Sequence, residues 1–327
     1  MSEVHAASRP PAASRRTAAR RTTRAIAPSA VPPTGSAPFR LGDISFLNCA
    51  PLRWGLRHSG ALEQFDLASG PPEWLAEELL AGRLDVGPVS LVRYLRHTDV
   101  WELLPGGVAV GSDGPVHSCH LVSRAPLDTL DGAVIALSRA SRTTALLARM
   151  LLEDALGVHP EYRPAPQGRG AVPAGADAAV LIGDEALRLH ARPPAGLRIQ
   201  DTGALWREWT GLPMVFAVWV VRREAARAHP DLVPAVSAAL TEAAALARAH
   251  PAAVARAAAD ESARGPGGRL SDQVLLDYYR VLDYSLGDRQ LAAVREFARR
   301  AAARGEVPAG AVPPPSPETP QAPGGHP

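Results

Sequence analysis

A chain of 327 residues, 46% of them hydrophobic, is long enough to bury a large core and to form one large or two ordinary domains. All 35 basic residues are arginine, which excludes Schiff-base lysines, Walker A phosphate binding and lysine general bases. The formal charge is +2, but six arginines against Glu3 put +5 on residues 1–37, so the other 290 residues carry −3 and offer no broad basic face to nucleic acid.

Residues 1–37, rich in Ala, Arg, Pro and Ser, are expected to be disordered. The arginine pairs at 15–16 and 20–21 precede TTRAIAPSAVPPTGSAP, which has no continuous apolar stretch, so a signal peptide is not expected. No run approaches 18 uninterrupted apolar residues, and the expectation is a cytoplasmic protein without a membrane span. A first strand is predicted over 41–47, ending at Asn48-Cys49-Ala50-Pro51, with a helix over 52–58. Pro71-Pro72 starts a helix carrying Leu75, Leu79 and Leu80 that stops at Gly82, and 84–86 begins the next strand.

Strands are predicted over 107–111 and 117–123, with Asp113-Gly114-Pro115 as the turn between them. The strand at 134–137 leads through 138–144 into a helix whose apolar positions are Leu147, Met150, Leu151 and Ala155. A buried strand over 178–182 ends at Gly183-Asp184. In DTGALWREWTGLPMVFAVW, 201–219, Trp206 and Trp209 share one helix face, Gly211 and Pro213 punctuate the backbone, and 214–221 is apolar and β-branched enough to be buried on both faces. The tryptophans fit either a ligand turn or plain core packing. Helices follow over 230–249, 251–262, 271–283 with Ser271 as cap, and 288–304, and 306–327 is expected to be a disordered Pro/Gly-rich tail.

Strands alternating with helices predict an α/β chain with largely parallel sheets and ligand loops at the strands' carboxyl ends. The loops at 48–51, 138–144 and 183–184 satisfy that rule, while the 210–213 turn enters a strand instead. Cys49 and Cys119 stand 70 positions apart without a CxxC and read as reduced thiols, and the ten histidines show no metal-ligand spacing, His117 and His120 being the nearest pair. No cofactor or metal is expected. Ser90 and Ser118 have no His partner at a recognisable spacing and no GxSxG, which gives a serine hydrolase no support.

Six blocks carry a resemblance: FLNCAPLRWGL at 46–56, LDVGPVSLVRYL at 84–95, DGPVHSCHLVS at 113–123, SRTTALLARMLLE at 141–153, AAVLIGDEAL at 178–187 and GALWREWTGLPMVFAVW at 203–219. In this order, and with LDYSLGDRQLAAVREFARR at 282–300, they resemble the chorismate dehydratases of the futalosine route to menaquinone. The resemblance implies a type II periplasmic-binding-protein-like α/β fold of two lobes around a central ligand cleft. It places the lobe crossings near 123–127 and 218–222, so that lobe one is 38–124 plus 221–305 and lobe two is 125–220. It also implies a carbon-oxygen lyase that eliminates water from chorismate to give 3-[(1-carboxyvinyl)oxy]benzoate. Thr144, where relatives more often carry serine, and the Pro/Gly-rich segment at 164–177 depart from the family pattern. The rival readings are the 1,4-dihydroxy-6-naphthoate synthase of the same route and a non-catalytic solute-binding protein.

Chorismate has two carboxylates, and the helix start at Ser141, Arg142, Thr143 and Thr144 supplies free N–H groups, a helix dipole and hydroxyls to receive one; Arg139 or Arg142 adds a guanidinium. The alternative there is a plain cap with solvated arginines. Asn48 is expected to hydrogen-bond the reacting end of the substrate. Ser90, Ser118, Gly183, Asp184, Thr210 and Gly211 are expected around the ligand. Asp184 reads as either a base or a helix cap, and the C3 proton goes either to a protein group or to the substrate's own enolpyruvyl carboxylate. The partner is small-molecule chorismate, with neither nucleic acid nor membrane, and the oligomeric state is open.

Overall fold

The computed structural model describes residues 39–138, 140–165 and 171–311. The expected tail at 1–37, Arg139 and most of the expected tail at 306–327 lie outside the described residues. From the amino end come β1 (Phe39–Ile44), α1 (Ala50–His58), β2 (Phe65–Gly70), α2 (Pro72–Leu80), β3 (Val86–Ser90), α3 (Leu91–Arg96), β4 (Trp101–Leu103) and β5 (Val108–Ser112). The chain then builds β6 (Cys119–Ser123), β7 (Val134–Leu137), α4 (Arg142–Arg149) with a π-helical continuation Met150–Ala155, β8 (Glu161–Pro164), β9 (Ala178–Ile182), α5 (Gly183–Ala191), β10 (Arg198–Asp201) and α6 (Thr202–Thr210). It returns through β11 (Met214–Arg222), α7 (Arg223–Ala228), α8 (Leu232–Ala249), α9 (Pro251–Ser262), α10 (Asp272–Val281), β12 (Asp283–Ser285) and α11 (Asp288–Ala303).

Two sheets result. The first runs β12-β5-β11-β3-β1-β2, with β4 also on β11, and the second runs β10-β6-β9-β7-β8. β1 is parallel to β2 and β3, and β7 to β8 and β9, but β11, β12, β6 and β10 pair antiparallel with their neighbours. The expectation of largely parallel sheets is therefore corrected to mixed ones. In the first sheet β11 comes back from the second lobe and inserts antiparallel between β3 and β5, and eight of its nine residues are buried; in the second, β6 is antiparallel to β9 and β10.

The lobe crossings lie earlier than the resemblance implied. All five residues of β6 pair with β9 in the second sheet, and β11 pairs along its length with β3, β4 and β5 in the first. The chain therefore crosses over 113–118 and again over 211–213, in the polar Gly/Pro segments before each strand. Met214 sits opposite Ser112, so the two crossings run side by side. The Asp201 carboxylate ties the first crossing to the helix that leads into the second, accepting the N–H groups of Val116 and His117 and capping α6 through Gly203 and Ala204.

α8 has the length and composition of a membrane-crossing helix, but it lies along α1. Gly55 makes that approach possible, because a Cβ there would stand 2.2 Å from the Ala243 carbonyl oxygen. On the opposite side α11 spans both lobes. Phe297 packs on fully buried Trp206, and the Arg300 guanidinium lies 3.7 Å over the Trp209 ring. Both tryptophans are thus structural, and Trp206 Nε1 donates to the Pro213 carbonyl at 3.0 Å. Order continues past the expected end of the fold, for Val307 and Ala311 are buried and Glu306 pairs with Arg96 and Arg149, one from each lobe.

Candidate active site

The carboxyl ends of the parallel pairs point four loops at one another across the lobe junction, as strand polarity requires. From the first lobe come the Leu47–Cys49 3₁₀ turn after β1 and the Ser90 corner after β3. From the second come the start of α4 after β7 and the Gly183-Asp184 corner after β9. Cross-lobe bonds join them in pairs. The Leu47 N–H donates to Asp184 Oδ1 at 2.9 Å, and the Val92 N–H donates to Thr143 Oγ1 at 3.1 Å.

Beside each of these bonds sits a buried polar atom with no partner among the described residues, Asn48 Oδ1 and Ser90 Oγ. Such atoms cost free energy unless something completes them, which makes two of them at the mouth of parallel strands candidates for ligand contact. The sequence-predicted Asn48 and Ser90 thus stand next to the closure contacts. Ser118 does not share their freedom. Its hydroxyl accepts from Tyr278 at 2.9 Å and donates to the Val116 carbonyl at 3.3 Å.

On the second lobe, Ser141 caps α4 by accepting the Thr144 N–H at 3.2 Å. Its hydroxyl also lies 3.2 Å from Thr144 Oγ1, which in turn donates to Cys119 Sγ at 3.6 Å. Ser141 and Thr144 therefore serve the helix and its seat. Thr143 is fully buried, and because its oxygen accepts from Val92 its own proton remains free to donate. The N–H groups of Arg142 and Thr143, first in the helix, have no intrahelical acceptor. An anion set against this end would meet two N–H groups and a hydroxyl proton. The Arg142 side chain turns away from that position to Glu73 of the first lobe, at 3.2 Å.

Asp184 caps nothing in its own helix, whose N-cap is Ile182 without a side-chain bond. Burial pushes its carboxyl above the usual carboxylate range, opposed by the Leu47 N–H and Arg188. Gly183 takes φ +65°, and a Cβ there would stand 3.2 Å from the Phe46 ring, so only glycine lets the corner approach the Asn48 turn this closely. Its N–H donates to the Ser118 carbonyl at 2.8 Å. Thr210 and Gly211 lie apart from these groups. The Thr210 hydroxyl donates to the Trp206 carbonyl and accepts from the Leu212 N–H, and Gly211 at φ +73° is the C-cap of α6. They end a helix and are not joined to the other candidates.

Sequence reasoning missed the tyrosines. Tyr284 donates to the Asn48 carbonyl at 2.6 Å and Tyr279 to the Leu47 carbonyl at 3.2 Å, so the turn is held from β12 and α10. Three of the chain's five tyrosines fall within 278–284, a clustering visible in the sequence. Burial raises the hydroxyls of Tyr278, Tyr279 and Tyr284 far above their ordinary range, raises Cys49 likewise and pushes Cys119 up to about 12. None supplies an anionic base or nucleophile at neutral pH. His120 projects from the face of β6 opposite Cys119 and groups with His117 and His190, and among the described residues no three acidic, His or Cys side chains are disposed to hold a metal ion.

A family model described as menaquinone biosynthesis matches residues 39–303. A chorismate dehydratase from Thermus thermophilus is 35% identical over 201 residues, 57% of this chain and 71% of that protein. A 1,4-dihydroxy-6-naphtoate synthase from the same organism is 30% identical over 241 residues, 71% of this chain and 82% of that one. Among solved structures, the periplasmic aliphatic sulphonate binding protein of Escherichia coli superposes with a TM-score of 0.56 at 19% identity, covering 83% of this chain and 93% of the other. That likeness establishes the fold as periplasmic-binding-protein-like.

Proposed function

The chain belongs to the menaquinone-biosynthesis family, and from that premise we propose that it is a chorismate dehydratase, a hydro-lyase that converts chorismate to 3-[(1-carboxyvinyl)oxy]benzoate and water. The observation that carries the reading is the pair of buried, unpartnered groups, Asn48 Oδ1 and Ser90 Oγ, set at adjacent strand ends opposite the open amino end of α4. One carboxylate of chorismate is received by the Arg142 and Thr143 N–H groups and the Thr143 hydroxyl, and Asn48 and Ser90 take the ring hydroxyl end.

The elimination breaks the C3–H bond, its electrons delocalising through the C1=C2 bond into the ring carboxylate, and then the C4–O bond; the hydroxide released takes up the proton removed from C3 and departs as water while the ring becomes aromatic. Asp184 is bonded to the Leu47 N–H, and burial keeps the nearby thiols and phenols protonated. These facts favour the substrate's own enolpyruvyl carboxylate as the proton acceptor, with the protein holding the reactive conformer. The reading carries with it a cytoplasmic enzyme. Cys49 and Cys119, both free and buried, suit a reducing compartment.

The wider match to the naphtoate synthase, 71% of the chain against 57%, favours a second reading as that enzyme, whereas the higher identity favours the dehydratase. Incubation of the purified protein with chorismate, followed by ultraviolet absorbance and mass, separates them. Loss of 18 mass units, about one water, with a new aromatic band supports the dehydratase. Binding of chorismate without conversion points to a solute-binding protein.

A further inference from the structure

We propose that Asp184 is a positioning residue for this reaction: its carboxylate reaches across the lobe junction to the Leu47 N–H and sets the Asn48 turn in register only when the lobes are together. The inference rests on the dehydratase reading and adds a role for an acid that the chemistry above leaves idle. The Leu47 peptide is held from both lobes. Its carbonyl accepts from Tyr279 and the next carbonyl from Tyr284, both in the first lobe, while its N–H has Asp184 of the second. Opening the lobes leaves the two carbonyl tethers and removes the third.

The second-lobe side of this contact is itself fixed. Gly183 donates to the Ser118 carbonyl, the Ser118 hydroxyl accepts from Tyr278, and Phe46 packs against Gly183, so the corner bearing Asp184 cannot shift without moving the crossing at 113–118. Asp184 gives up capping its own helix to make the cross-lobe bond, and it stays partly buried to do so. Asn48 Oδ1 has no partner among the described residues, so the backbone turn aims it. A misplacement of about 1 Å at such a group costs about 10²-fold in turnover. Joining the lobes over the substrate and aiming Asn48 are then one event.

The test uses the full chain carrying Asp184→Ala, Asp184→Asn or Tyr284→Phe, with kcat and KM for chorismate and amide hydrogen exchange at Leu47 as readouts. Asp184→Ala is expected to lower kcat about 100-fold with KM changed only a few-fold, and to speed Leu47 exchange. Asp184→Asn keeps an acceptor oxygen and is expected to restore kcat to within about fivefold and to keep Leu47 protected. Tyr284→Phe is expected to lower kcat with Leu47 still protected. Near-normal kcat in Asp184→Ala, or unchanged Leu47 exchange, overturns the proposal. So does an Asp184→Asn protein as inactive as the alanine variant with Leu47 protected, since that assigns the acid to proton transfer. If Asp184→Ala does not fold, the Asn and Tyr284 variants decide by the same criteria. A wild-type chain that does not convert chorismate removes the dehydratase reading, while the exchange comparison still decides the cross-lobe contact.

Discussion

The hydroxyl of Thr143, in the first turn of α4, accepts the backbone N–H of Val92 in the first turn of α3 at 3.1 Å. One side chain thereby joins the lobes and keeps a proton that, on the proposed function, it gives to a substrate carboxylate. Thr143→Val keeps the shape and removes both functions. It is expected to leave the Val92 N–H unsatisfied at a cost of about 1–3 kcal/mol in urea unfolding and to raise KM for chorismate about 10-fold or more. Thr143→Ser should recover most of both. Unchanged KM in the valine variant would place the carboxylate elsewhere.

Asn48 is the group whose loss should act on turnover most directly. Asn48→Ala leaves the Leu47 and Asn48 carbonyls bonded to Tyr279 and Tyr284, so the turn itself survives. The expected result is a fall in kcat of about 10²–10³-fold with little change in unfolding midpoint. Near-normal kcat and KM would remove Asn48 from the reaction.

The strands at 134–137 and 178–182 and the helix at 251–262 were legible residue for residue, because apolar runs bounded by Gly and Pro leave one solution. β2, β4, β8, β10 and β12 were not. FDLASG in β2 buries only its two ends, and the others are three or four residues long, so each exists through backbone pairing to a neighbour that sequence does not name. At the site, strand polarity located the loops, and Asn48, Ser90, Thr143, Gly183 and Asp184 fall on them. Their partners were hidden by distance along the chain: Leu47 and Asp184 are 137 residues apart, Asn48 and Tyr284 236. Thr210 and Gly211 lie on the turn that enters β11, the one loop strand polarity did not select, and their bonds are to the end of α6.

Beneath the Asn48 turn, Arg53 and Asp43 form an ion pair with side chains only 5% and 4% exposed. Arg53 also donates to the Ile44 carbonyl at 2.9 Å and to Glu261 at 2.6 Å, and Asp43 accepts from Ser69 at 3.0 Å. Asp43→Ala removes the buried partner of the guanidinium and leaves it Glu261 and the Ile44 carbonyl, so the expected loss is about 3 kcal/mol, the lower end for a broken buried pair. An Asp43→Leu, Arg53→Met double variant removes both charges together and should lose much less. Denaturant unfolding of both proteins checks this, and equal losses would show that the charges are not coupled.

A buried histidine in β6, just after the first lobe crossing, sets an acid limit on stability. His120 is fully buried, its Nε2 lies 3.0 Å from the His117 carbonyl and its Nδ1 has no hydrogen-bond partner. Burial lowers its pKa from 6.5 to about 4, with His190 and His117 acting in the same direction and Asp201, 3.9 Å away, opposing. Between those two values the unfolded chain binds a proton that the folded chain refuses, so stability falls as pH drops from about 6.5 towards 4 and is unaffected above that window. At full extent the loss is about 3 kcal/mol. His117, also lowered by burial and by His190, adds a smaller loss of the same sign. His120→Gln keeps an amide able to reach the His117 carbonyl but cannot titrate. Urea midpoints measured across the window should therefore decline in the wild type and decline less steeply in the variant, the difference being the His120 contribution because acid groups elsewhere titrate equally in both. Parallel declines would mean that His120 accepts its proton without disturbing the crossing.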